Sequence, residues 1–374
     1  MGTRRVLVTG CSSGIGLAVA ARLAKDELRR FKVVATMRDL SKRGPLEKAA
    51  GDSLNKTLEI KQLDACCEAS IRECVDSLPD RRVDVLGLSL LVHVLNIDVH
   101  FSSQSYNNLW YSDVTVNNAG VGMIGPLECQ SISAMKDLFD TNFFGLVRLV
   151  KELLPDMKRR QSGHIVVMSS VMGIQGLLFN DIYSASKFAV EGFCESVAVQ
   201  ALKFNIKTTL VEPGPVVTEF ERKVYDDAEM MDLSGTDEET AKMFREVYLP
   251  YSKKIFASLG KHLRKWLRQV VKVMCLFDFR ILQLLNFCSG GNTRKLLLNC
   301  FCFLQQQTLK VITAKEPPLR HQTNRLYMPL TALKHADPTG RLSLDTFYKM
   351  TFNHDRVFNV SLGLLRMLQR RAKK

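Results

Sequence analysis

Tyr183 and Lys187 stand four residues apart in Tyr183-Ser184-Ala185-Ser186-Lys187, at the start of a stretch running to Phe204 that reads as a helix. Residues at that spacing share one helical face. A phenol is a poor acid at neutral pH, and a neighbouring ammonium favours its anion and brings its pKa down. Such a tyrosine can pass a proton to a carbonyl oxygen while a hydride arrives at the carbon. Ser170 ends the apolar run His164-Ile165-Val166-Val167-Met168 and offers a hydroxyl to the same oxygen. Alone, a Tyr-x-x-x-Lys pair is an ordinary feature of helices, so its chemistry depends on what else the chain supplies.

A second constellation lies at the beginning. In Thr9-Gly10-Cys11-Ser12-Ser13-Gly14-Ile15-Gly16 three glycines sit between the apolar run Arg5-Val6-Leu7-Val8-Thr9 and the helical pattern Leu17 to Ala24. Strand, glycine turn and helix in that order let backbone N–H groups and a helix N-terminus approach a pyrophosphate. The next strand, Lys32 to Thr36, leads to Met37-Arg38-Asp39. Arg38 is placed to fork onto a 2′-phosphate, with help from Ser12, which points to NADP(H). Asp39 would instead serve the ribose hydroxyls of NAD(H) if the strand ended one residue later.

These residues need a scaffold, and the chain reads as one. Further short apolar runs, Thr57 to Ile60, His164 to Met168 and Lys207 to Val211, alternate with helical patterns such as Ala134 to Lys158. That rhythm predicts an α/β fold, a Rossmann-type doubly wound parallel sheet in a single domain with a C-terminal helical extension, and ligands at the carboxyl ends of the strands. Two segments disturb it. Residues 87–113 separate Val83-Asp84-Val85-Leu86 from Val114-Thr115-Val116, and residues 275–310, rich in Leu, Phe and Cys, separate a helix ending near Val273 from Val311-Ile312. Both read as insertions in an otherwise complete domain, whose removal leaves roughly 310 residues, an ordinary size for one α/β unit.

The 374 residues carry a formal charge of +14, which suits anionic company: nucleic acid, a phosphate-rich cofactor or an acidic membrane. The basic residues are dispersed and no nucleic-acid recognition motif accompanies them, so nucleic acid is not expected. Ten cysteines without C-x-x-C pairs or Cys/His ligand spacings read as reduced thiols in the cytoplasm, with no metal site. The opening runs straight into a strand without a leader, and no apolar stretch reaches membrane-spanning length. The final residues, 360–374, form a basic amphipathic pattern around Leu362, Leu364, Leu365 and Leu368. That tail either rests on an anionic membrane from the cytosolic side or packs as an ordinary solvated helix.

The glycine motif, Asn117-Asn118-Ala119-Gly120, Asn142, Ser170, Tyr183, Lys187 and Pro213-Gly214 occur in an order that resembles the short-chain dehydrogenase/reductase family. Phe179 to Gly192 is similar to the branch that contains photoreceptor-type retinol dehydrogenase and 17β-hydroxysteroid dehydrogenase type 1, and Pro317 to Asn324 looks more like the retinol enzymes. The resemblance implies a catalytic tetrad of Asn142, Ser170, Tyr183 and Lys187, with Lys187 also on the nicotinamide ribose. It implies cofactor contacts from Thr9, Gly10, Ser12, Ser13, Gly14, Ile15, Gly16 and Arg38, with Asp64 beside the adenine. Asn118, Ala119 and Gly120 would support the cofactor and the central strand, while Pro213, Gly214 and Val216 would line the nicotinamide amide and Thr218 hydrogen-bond it.

A lipophilic substrate is expected, contacted by Ser170, Leu177, Asn180, Tyr183, Phe220 and Phe244. Retinoids stand ahead of steroids, because Lys242 and Asn324 occupy the places where the steroid relative keeps a histidine and an acid for the far oxygen, and a polyene has no far oxygen to bind. A cofactor-binding scaffold without turnover is the alternative from another class. An intact tetrad speaks against it. The sequence leaves the oligomeric state open, with a homodimer among the options.

Overall fold

The computed structural model describes residues 3–88, 122–214, 219–258, 300–323 and 328–352. Among the described residues seven strands form one parallel sheet: β1 (Arg4–Val8), β2 (Phe31–Met37), β3 (Leu58–Gln62), β4 (Val85–Leu88), β5 (Gly163–Met168), β6 (Ile206–Glu212) and β7 (Arg320–Gln322). Their order is β3-β2-β1-β4-β5-β6-β7. The chain builds outward from β1 to β3, returns to β4 and continues to the opposite edge. The reversal between β1 and β4 opens a crevice at the carboxyl ends of those strands, where doubly wound sheets take their ligands. The expected Rossmann-type sheet is therefore present.

Alternation along each strand sends side chains to two separate cores, as a sheet covered on both faces requires. Leu7, Val34, Leu86, Ile165, Val167 and Leu210 meet helices α3 (Glu68–Asp76), α5 (Gly145–Arg160) and α6 (Asp181–Leu202). Val6, Val8, Val33, Ala35, Val85, Val166 and Val211 face the other way, onto α1 (Gly14–Ala24), α2 (Gly44–Ala50) and α10 (Cys300–Thr313). Between α3 and α5 runs α4 (Ile132–Phe139); α7 (Glu219–Glu229), α8 (Glu238–Lys242) and α9 (Leu249–Ser258) follow β6.

One end of each interrupting segment falls within the described residues. Gly87 and Leu88, read from the sequence as the start of the first, complete β4 instead: Gly87 pairs with Val8 and Val166, and its carbonyl accepts from Thr9 N at 3.1 Å. Cys300 to Lys310, read as the end of the second, belongs to α10. Leu304, Thr308, Val311 and Ile312 are buried, the i, i+4, i+7, i+8 stripe of an amphipathic helix. Each apolar member contributes on the order of 1.5–3 kcal/mol by leaving water. The remaining residues of the two segments, Val114-Thr115-Val116 and the tail 360–374 lie outside the described residues.

Two helices end the described chain, α11 (Met328–Ala336) and α12 (Arg341–Phe352). They clasp the segment that follows Ser170: Lys334 Nζ donates to the Ile174 carbonyl, and Ser343 Oγ donates to Gln175 Oε1 at 2.8 Å. Among the described residues no helix is long and apolar enough to cross a membrane.

Candidate active site

The glycine turn sits where β1 delivers the chain to α1. Gly10 and Gly14 adopt φ of 65° and 54°, a region that glycine enters without steric cost. At Gly16 a Cβ would stand 2.4 Å from the Gly10 carbonyl oxygen, so the turn closes on itself only because that side chain is missing. Ser13 is the residue before α1; it is fully buried, and its Oγ has no hydrogen-bond partner. A buried hydroxyl without a partner at a helix N-terminus is uncommon and suits a phosphate oxygen. Thr9 is buried at the end of β1, and Cys11 Sγ donates to the Val8 carbonyl at 3.1 Å, which turns the thiol inward. Burial pushes the Cys11 thiol up to about 12, so it is inert.

At the end of β2, Arg38 is exposed and Gln62 Nε2 donates to its carbonyl at 3.1 Å. Asp39 next to it closes its own turn, with Oδ1 accepting from Ser41 N at 2.9 Å and from Ser41 Oγ at 2.6 Å, and Lys42 Nζ 3.7 Å from Oδ2. At the end of β3, Asp64 Oδ1 accepts from Cys66 N at 3.0 Å and fixes the loop that enters α3.

The predicted catalytic residues converge at the carboxyl ends of β5 and β6. Tyr183 is half-buried in the first turn of α6. Lys187, 3 % exposed, places Nζ 5.7 Å from the centre of the Tyr183 ring and donates to the Met168 carbonyl at 3.3 Å. Burial pushes its ammonium down to about 8, against the opposing charge of Glu191. Ser170 continues extended from β5, and its Oγ accepts from Met172 N at 3.1 Å, which leaves the hydroxyl proton available to a ligand. Asn142 lies on a π-helical turn, Asp140–Phe144, between α4 and α5. The sequence pattern reads as one uninterrupted helix there. The wider turn carries Thr141 and Asn142 inward, both buried, and local π-turns recur at functional sites.

Asn142 reaches the pair through a residue that the sequence reading did not single out. Its Nδ2 donates to Ser186 Oγ at 3.3 Å, and Ser186 Oγ donates to the Tyr183 carbonyl at 2.7 Å. Asn142 is thereby joined to the first turn of α6, and Lys187 to the end of β5 two residues before Ser170. Pro213 follows β6 and its carbonyl accepts from Val171 N at 3.1 Å, holding the loop after Ser170 against the end of β6. Asn117, Asn118, Ala119, Gly120, Val216, Thr218 and the side chain of Phe220 lie outside the described residues. Among the described residues no group of His, Cys, Asp or Glu is placed to hold a metal ion.

Beyond Ser170 an aromatic and methionine-rich cluster forms one wall, with Phe179, Tyr225, Phe244 and Leu249 buried and Leu178, Met231 and Tyr248 packed around them. Two expected substrate contacts lie within this cluster. Phe244 is fully enclosed, edge-on to Phe179 at 5.1 Å and stacked on Tyr248 at 5.9 Å between ring centres, so it has no free surface for a ligand. Asn180 is 3 % exposed and its Nδ2 donates to the Leu178 carbonyl at 2.8 Å and Tyr248 Oη at 2.7 Å, which ties α6 to the wall. Leu177 keeps a partly open surface.

The family model described as short chain dehydrogenase matches residues 99–229. Retinol dehydrogenase 8 of Bos taurus is 44% identical over 362 residues, covering 97% of this chain and 95% of that protein. The 17-beta-hydroxysteroid dehydrogenase type 1 of Homo sapiens is 35% identical over 349 residues, covering 93% and 85%. Among solved structures, a short-chain dehydrogenase from Streptomyces avermitilis superposes with a TM-score of 0.57 at 22% identity, over 94% of this chain and 97% of the other, a likeness of fold. With the sheet, the glycine turn and the ordered Asn142, Ser170, Tyr183 and Lys187 in place, this chain is an oxidoreductase that belongs to the short-chain dehydrogenase family.

Proposed function

We propose that this chain is an NADP(H)-dependent enzyme that interconverts all-trans-retinal and all-trans-retinol. One arrangement carries the reading: a buried ammonium beneath the Tyr183 ring, with the Ser170 hydroxyl at the adjoining strand end and an apolar wall beyond it. The unpartnered Ser13 hydroxyl and the closed glycine turn fit a dinucleotide, for which Gly14 to Gly16 would hold the phosphates and Arg38 and Lys187 the riboses. When bound, the nicotinamide supplies or accepts the hydride.

The protein's own part is to hold and move one proton. Below about 8 Lys187 is charged and favours the phenolate of Tyr183, so Tyr183 can release its proton to the carbonyl oxygen in reduction and recover it in oxidation. Ser170, already accepting from Met172 N, donates to the same oxygen and stabilises the charge developing there. Ser186 and Asn142 keep the first turn of α6 in register with the π-turn.

The preference for a retinoid draws support from the greater identity to retinol dehydrogenase 8 and from a wall of Phe, Tyr, Met and Leu side chains. Lys242, which the sequence resemblance sets at the place of the steroid relative's histidine, is exposed. A 17β-hydroxysteroid dehydrogenase is the second reading, supported by the 35% identity to that enzyme. With NADPH, all-trans-retinal is expected to give the higher kcat/KM, estrone the lower. A clear advantage for estrone would replace the substrate and leave the tetrad untouched; the absence of turnover with either, cofactor binding intact, would favour a scaffold.

A further inference from the structure

The inward stripe of α6 does not end at Lys187. Glu191 and Glu195 follow at the same four-residue spacing, so Tyr183, Lys187, Glu191 and Glu195 form one line along the helix. Glu191 is 3 % exposed, an unusual place for a carboxylate. Ser169 Oγ donates to Glu191 Oε1, and Arg320 Nη1, arriving on β7, is 2.7 Å from Oε2. The same guanidinium reaches the fully buried Glu212 at 2.9 Å and the half-exposed Glu195 at 2.6 Å. From above, the turn that carries Ser170 presses on the carboxylate: a Cβ at Gly173 would stand 2.9 Å from Glu191 Cγ and 2.8 Å from Ser169 Oγ. Glu191 thus touches the residue before Ser170 and the residue three after it, and lies one helical turn from Lys187.

We propose that Glu191 is a positioning residue that sets the surroundings of Lys187 one helical turn away and seats the turn bearing Ser170, with Arg320 and Ser169 holding its carboxylate in place. Its consequence for catalysis rests on the oxidoreductase reading above. The groups facing Glu191 are Lys187, Cys194 and Glu195 on α6, Ser169 on β5, Glu212 on β6 and Arg320 on β7, while His335 of α11 acts on Glu212. Burial pushes Lys187 down to about 8 and the Glu191 charge opposes it. Burial pushes Glu191 up to about 7, opposed by the Ser169 hydrogen bond and the Arg320 charge. Above neutrality an anion therefore stands beside an ammonium close to losing its proton. Without the anion, only desolvation remains, and Lys187 gives up its proton at lower pH. A carboxylate that merely stapled α6 to β7 would stabilise the fold and leave that proton where it is.

The test is a titration of Lys187 in the full-length protein labelled with 13Cε-lysine, its resonance identified by loss in Lys187→Met. Glu191→Gln is expected to lower the Lys187 midpoint by about half a pH unit or more, roughly a threefold change in its ionisation constant. Glu191→Asp, which keeps the charge, should leave it near the wild-type value. Ser169→Ala should lower it by less, since it removes a donor that favours the ionised carboxylate. The alkaline limb of carbonyl reduction should follow the same order. A folded Glu191→Gln protein with an unmoved midpoint overturns the proposal; if that variant does not fold, an unmoved midpoint in Ser169→Ala overturns it. A wild-type protein that reduces no carbonyl would sink the oxidoreductase reading, and the titration would still decide this one.

Discussion

Lys187 Nζ lies 5.7 Å from the centre of the Tyr183 ring while donating to the Met168 carbonyl, so the backbone of β5 aims the ammonium at the phenol. The cation has little freedom to leave, because Lys187 is 3 % exposed and its stem is walled in by α6 and the strand end. A neighbouring ammonium favours the phenolate and makes such a phenol the better proton donor, and the proton is what distinguishes Tyr183 from a packing aromatic.

Tyr183→Phe keeps the ring over Lys187 and removes only the hydroxyl. Reduction of retinal is expected to fall by about 10²- to 10⁴-fold in kcat, the usual size of a general-acid contribution. NADPH affinity, measured by fluorescence titration, should change by less than about twofold, since the phenol acts on the substrate oxygen. Retained turnover would remove Tyr183 from the mechanism.

How much of this was legible beforehand follows the range of the interactions involved. Tyr183 and Lys187 sit one turn apart on one helix, and the glycine turn lies between a strand and a helix that announce themselves, so local pattern suffices for both. Glu191 is in the same helix, yet its burial depends on Arg320, and β7 is a three-residue strand of Arg, His and Gln that exists through pairing with β6 and has no strand pattern of its own. Phe244 illustrates another limit: its residue type suits a ligand wall or a core equally, and its packing on Phe179 and Tyr248 is not legible in the sequence. The π-turn at Asn142 has no signature in residue type at all.

His164 provides a prediction about stability. It is 5 % exposed in the middle of the sheet, its Nε2 is 3.0 Å from Thr209 Oγ1, and burial, with the nearby Arg4 and Lys207 charges, pushes it down to about 4. The unfolded chain binds the proton near the ordinary value of about 6.5 and the native state refuses it, so stability falls as pH drops from about 6.5 toward 4. At full extent the loss is about 3 kcal/mol. Glu191 bends the curve the other way, because its raised pKa makes the native state the better proton binder between the unfolded carboxyl range and about 7. The His164 contribution is therefore read as the difference between wild type and His164→Gln in urea unfolding at pH 7.5 and pH 5. The wild type should lose more stability than the variant over that interval; parallel curves would mean that His164 accepts its proton in the folded state.

The cofactor preference turns on which of two adjacent side chains at the end of β2 meets the adenosine ribose. Asp39 has its carboxylate committed to Ser41 N and Oγ, with Lys42 alongside, and the Ser41 hydrogen bond holds it below the usual carboxylate range. To bind a ribose it would have to give up the bonds that cap its own turn. Arg38 is exposed at the strand end with its carbonyl held by Gln62, and its guanidinium has the planar donor geometry that suits a 2′-phosphate. Arg38→Met is accordingly expected to weaken NADPH binding about tenfold or more, equivalent to ~1.4 kcal/mol, and NADH by less than about twofold. Asp39→Asn should leave the ratio of the two affinities almost unchanged. Equal losses of NADPH and NADH in Arg38→Met would indicate damage to the strand end, and a collapse of NADH binding in Asp39→Asn would show that the acid leaves Ser41 for the ribose after all.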